Sequence, residues 1–154
     1  MTIDELFETI KKLEVINIRL DEDDDPQLIF ESLNSTGLDL SEADKIRNYL
    51  LMSLAPAEQD DLYTRYWNPI EEFTKYDPSS FVRDYLTMKQ GKIGRIDKIY
   101  FIFKEYAEAT NIDRATLLED MHHYAKIYSQ VDSATIGTDK LNRKLNQLRT
   151  LDST

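Results

Sequence analysis

Apolar residues recur at intervals of three and four along most of this chain, the spacing of one buried helix face. The first such run holds Ile3, Leu6, Phe7, Ile10 and Leu13, and Thr2 with Glu5 has the spacing of a capping box at its start. Residues 14–20, EVINIRL, break the rhythm: Ile16, Ile18 and Leu20 alternate with polar positions and predict a short strand. A lone strand leaves its own N–H and C=O groups unpaired. This one is therefore expected as the edge or the remnant of a sheet completed elsewhere.

Helical spacing then returns. Asp25 with Pro26 has the cap-then-proline order of a helix start, and that helix is expected to stop at Asn34-Ser35-Thr36-Gly37. Ser41 and Asp44 open another, with Ala43, Ile46, Tyr49, Leu50 and Leu54 as its apolar positions. Pro56 begins the next, carrying Leu62, Tyr66 and Trp67, and Asn68-Pro69 is expected to break or kink it before Ile70 and Phe73. Later stripes run through Phe81, Tyr85 and Leu86, then Ile99, Tyr100 and Phe103, then Leu117, Met121 and Ala125, and finally Leu141, Leu145 and Leu148. The pattern predicts a mainly α, multi-helix bundle with one short N-terminal β-strand. Residues 1–154 read as a single domain or a piece of one, with the strand and turn in 1–54 and a helical part in 55–154. The last leucine stripe has no evident partner in the sequence, which suggests a piece of a longer protein.

Composition narrows the function classes. Hydrophobic residues make up 41% and charged residues 31% of the chain, as in ordinary globular domains. There is no cysteine, which excludes disulfides and thiolate metal sites and fits a cytoplasmic setting. No apolar run approaches the ~20 residues of a membrane span. The net charge of −10 lies entirely in residues 1–60, densest at Asp21–Asp25, and residues 61–154 balance. An acidic run before a proline, without the glycine and closing glutamate of a calcium loop, reads as a solvated loop. His122 and His123 point ~100° apart on a helix and cannot pair as i,i+4 metal ligands; they read as helix-surface residues. The nine tyrosines fall mostly at inward positions and read as core rather than as a base-stacking platform. Arg83, Lys89, Lys92, Arg95 and Lys98 straddle the Gly91–Gly94 turn and are candidates for DNA-phosphate contacts.

The densest polar chemistry lies in IFESLNSTGLDLSEADKIRNYLL, residues 29–51. Asp44, Arg47, Asn48 and Leu51 fall at i, i+3, i+4 and i+7, one stripe of a helix. The N–H groups at such a helix start suit an anion, an arginine can fork onto a phosphate or carboxylate, and Asn34 or Asn48 can read a base or hold a backbone. The plainer alternative has Asp44 completing a cap, Arg47 pairing with it, and Asn34 and Gly37 ending the preceding helix.

The same stretch resembles the Phe-Glu-x-Leu-Asn-x-x-Gly-x-x-Leu…Asp-x-Ile-Arg-Asn signature of the GmrS-type domain of GmrSD modification-dependent restriction systems and related phage-defence proteins. LYTRYWNPIEEF, FVRDYLTMKQG and IYFIFKEY resemble the helical continuation of those proteins. The resemblance implies a ParB- and sulfiredoxin-like fold, with 1–54 as the end of the ParB-like part. It implies that nucleoside triphosphate and Mg, DNA, and a nuclease domain or partner belong to the full protein, whose Asp-Gly-Gln-Gln-Arg motif is absent from this sequence. Phe30, Glu31, Asn34, Gly37, Asp44, Arg47 and Asn48 would then brace a ligand site completed by an upstream part, the chain itself being non-catalytic. The rival expectation is a helical scaffold for self-association or for docking another domain.

Overall fold

The computed structural model describes residues 2–14, 17, 19, 29, 32, 40–52 and 54–152. Most of the expected strand over 14–20, the acidic run Asp21–Asp25, most of the expected helix after Pro26, and the turn with Phe30, Glu31, Asn34 and Gly37 lie outside those residues. Among the described residues there are helices and no strand; Glu14, Asn17 and Arg19, at alternate positions of the expected strand and its start, have no regular secondary structure.

Helix α1 (Ile3–Ile10) opens with the expected capping box. The Thr2 hydroxyl accepts from the Glu5 N–H, and the Glu5 carboxylate accepts from the Thr2 N–H. Its apolar face stays open: Ile3 is 80% and Phe7 62% exposed.

The core is built by α2 (Glu42–Leu51), α3 (Pro56–Leu62), α4 (Asn68–Phe73), α5 (Pro78–Gln90), α6 (Ile99–Thr110) and α7 (Arg114–Asp132). The inward stripes read from the spacing between Ala43 and Ala125 land in it, while those of the first and last helices do not. Ile46 and Leu50 of α2, Ile70 of α4, Phe81 and Leu86 of α5, Ile99 and Phe103 of α6, and Leu117, Leu118 and Met121 of α7 are buried together with Trp67 and Tyr100. A final helix, α8 (Asp139–Asp152), carries Leu141 and Leu148 as exposed residues.

Of the break or kink expected at Asn68-Pro69, the break is corrected. Asn68-Pro69 neither ends the helix nor separates it into two pieces. A π turn over Tyr63–Trp67 joins α3 to α4, and the Asn68 N–H donates to the Tyr63 carbonyl five residues back. A proline inside a helix has no N–H and crowds the carbonyl four residues earlier, here that of Arg65. The wider π turn relieves that crowding and lets the helix continue.

The helices also cap one another. The Ser79 hydroxyl of α5 accepts from the Ala43 N–H at the start of α2 (3.2 Å). The Glu42 carboxylate accepts from the Tyr100 N–H at the start of α6 (2.9 Å), where the N-cap residue Lys98 gives no side-chain bond. At the other end of α2, the Arg114 guanidinium donates to the Met52 carbonyl (2.6 Å). Free N–H and C=O groups at helix ends are thus satisfied by side chains far away in sequence. These bonds fix the position of α2, the helix that carries the polar stripe.

Candidate ligand cleft

Ser41 caps α2 as its spacing requires: its hydroxyl accepts from the Asp44 N–H (3.1 Å) and donates to the Asp44 carboxylate (2.7 Å). Asp44 in turn accepts from Arg47 at 3.0 Å. The plainer alternative for these two residues is therefore present in the structure. The Arg47 guanidinium goes further and reaches Glu71 of α4 at 3.3 Å. Glu71 accepts on the same oxygen from the Trp67 indole N–H at 2.7 Å. Trp67 is fully buried, and a buried indole N–H without an acceptor would be costly. Glu71 thus joins a core aromatic to the guanidinium of another helix.

Arg47, the clamp's guanidinium, also lines a cleft of about 350 Å³, together with Asn48 and Leu51 from α2 and Pro56, Gln59, Asp60 and Tyr63 from α3 and the π turn. Its size is at the lower end of the range of small-molecule sites, ~300–1,000 Å³. Three of the stripe residues, Arg47, Asn48 and the buried Leu51, line it; Asp44 does not, and touches it only through Arg47. Asn34 and Gly37 lie outside the described residues. The facing wall was expected from an upstream part of the protein; the structure supplies one from this chain, α3 and the π turn. Sequence reasoning missed Gln59, Asp60, Tyr63 and Glu71. The i,i+4 and i,i+7 spacing of Gln59, Tyr63 and Tyr66 could have flagged the first wall, but nothing local points from Arg47 to Glu71.

The DNA-phosphate candidates divide. The Arg83 guanidinium donates to Asp84, and Arg95 forks onto both oxygens of Asp97 at 3.0 and 2.8 Å. That fork holds the Asp97 carboxyl below its ordinary range. Lys89 is bound to Asp120 at 2.8 Å and lies over the rings of Tyr124 and Tyr85. The Tyr85 phenol donates to the same Asp120 oxygen at 2.6 Å; burial first, and then this carboxylate, push its pKa far up. Among the described residues, Lys92 and Lys98 are the two of the five without a carboxylate at ion-pair distance, although the charge of Lys98 also acts on Asp97.

The histidines also differ. His123 is exposed, but His122 is half-buried against the rings of Tyr66 and Phe73. Burial pulls its pKa below the ordinary value, with Lys126 adding to the effect. It is a packing residue rather than a simple surface one. Tyr85 and Tyr100 are buried, and six other tyrosines are half-buried. Among the described residues no group of three or more His, Asp or Glu side chains is placed to hold a metal ion, and no helix is long and apolar enough to cross a membrane.

Comparison with protein-family models, with curated proteins and with solved structures gave no match.

Proposed function

We propose that this chain is a non-catalytic helical module of a GmrS-like, nucleotide-dependent DNA-restriction or phage-defence protein, and that it braces and lines a nucleotide cleft. One observation carries the reading: Arg47 and Asn48, inside the stretch that resembles the family signature, line the same cleft against Gln59, Asp60 and Tyr63. The Asp44–Arg47–Glu71–Trp67 chain of contacts supports it by holding α2 at a fixed distance from α4. In this reading the triphosphate chemistry, its Mg and the nuclease activity belong to other parts of the protein, and DNA contact falls to Lys92 and Lys98 if this chain takes part.

The test is an equilibrium titration of the full-length protein with fluorescent nucleoside triphosphates. Asn48→Ala should weaken binding about tenfold, the cost of roughly one good hydrogen bond. Arg47→Ala should weaken it at least as much by loosening the clamp. Unchanged affinity in both variants, each folded by circular dichroism, would take the cleft out of the nucleotide site.

A second reading has its own observation. The apolar face of α1 is open in the structure, as a scaffold that docks a partner or a second copy would leave it.

A further inference from the structure

The charge around the cleft goes beyond that reading and bears on which part of a nucleotide it takes. Arg47 is the cleft's one cation among its described lining residues, and it is held between Asp44 and Glu71, at 3.0 and 3.3 Å. Asp60 adds a third carboxylate on the facing wall. One guanidinium against three carboxylates leaves a formal excess of two negative charges. Sites that hold phosphate do the reverse: they gather arginines, lysines or open N–H groups that no carboxylate has already taken. A triphosphate placed here would meet Asp60 on one wall and, on the other, a guanidinium already held by two carboxylates.

The other polar groups in the cleft are of a different kind. Among the described residues, the side chains of Asn48, Gln59, Asp60 and Tyr63 have no hydrogen-bond partner. The two amides each offer a donor and an acceptor, the pairing that reads the edge of a purine base, and a carboxylate accepts from an exocyclic amino group. A tyrosine ring gives a face on which a base can stack. Leu51 and Pro56 add apolar lining to the same cleft.

We propose that the cleft takes the base and sugar of a nucleoside and leaves the phosphates outside. Asn48 and Gln59 read the base edge, Asp60 accepts from its amino group, and Tyr63 lies against its ring. Arg47 is a positioning residue that keeps Asn48 on the cleft and does not meet a phosphate. The proposal rests on the reading of a nucleotide cleft, and its test separates the two.

The side-chain amide signals of Asn48 and Gln59 are followed by NMR while the protein is titrated with four free nucleosides and, separately, with inorganic tripolyphosphate. At least one nucleoside should shift both signals, and tripolyphosphate at the same concentration should leave them in place. Asn48→Ala should weaken that nucleoside about tenfold while the Gln59 signal still reports binding. A shift caused by tripolyphosphate would overturn the base-reading assignment and leave the nucleotide cleft standing. No shift with any of these compounds would overturn the nucleotide cleft itself, and this assignment with it.

Discussion

Glu71 is the residue on which the cleft depends most directly, although it lies on none of the stripes that draw attention to the region. Its carboxylate serves the Trp67 indole and the Arg47 guanidinium on one oxygen, and its side chain keeps only 18% of its exposure. Charge-assisted bonds of this kind in a part-buried place contribute more than surface pairs do. Glu71→Gln keeps the size and an acceptor but removes the charge that holds Arg47. It should cost roughly 1–2 kcal/mol and lower the thermal midpoint by about 2–8 °C for a chain of this length. Asn48→Ala, which breaks no such contact, should leave the midpoint nearly unchanged. Thermal unfolding followed by circular dichroism makes the comparison, and an unmoved midpoint in Glu71→Gln would show that the clamp does not stabilise the bundle.

At the scale of the element, most of what the sequence could show was legible. Helix starts at Thr2 and Ser41 use their own side chains, so spacing of a few residues suffices to find them. The inward faces of α2, α5, α6 and α7 follow from the 3.6-residue period for the same local reason. What spacing hides are the bonds between helices. Glu42 looks like an ordinary acidic residue in a first helical turn, favoured there by the helix dipole. In the structure it caps α6, 58 positions away. The Arg47–Glu71 contact is hidden likewise, and Asn68-Pro69 reads locally as a break because the compensating π turn lies before it. Glu42→Ala should remove the acceptor from α6 and cost about 1 kcal/mol, the usual worth of an N-cap. Glu42→Gln, which can still accept from the Tyr100 N–H, should recover part of the loss in a denaturant titration. Equal losses in both variants would mean that the contact with Lys45, rather than the cap, carries the effect.

At the scale of the whole molecule, the bundle from α2 to α7 has a closed core, whereas α1 and α8 keep leucines, isoleucines and a phenylalanine on the surface. If the α1 face docks a second copy, light scattering should show a mass that rises with concentration, and Phe7→Asp should return it to that of one chain. A constant single-chain mass would remove self-association and leave docking of a different partner. The π turn has a consequence of its own for how the two walls stay in register. It amounts to one residue more than a regular helix would need between Leu62 and Asn68. Losing a single position there would let an unbroken spiral form and rotate everything upstream by ~100°, carrying Tyr63, Asp60 and Gln59 away from Asn48 while Trp67 and Glu71 stayed seated. The spacing between proline and tyrosine in this stretch therefore works as a gauge: insertions elsewhere on the surface are tolerable, but here one residue decides whether the walls face each other at all.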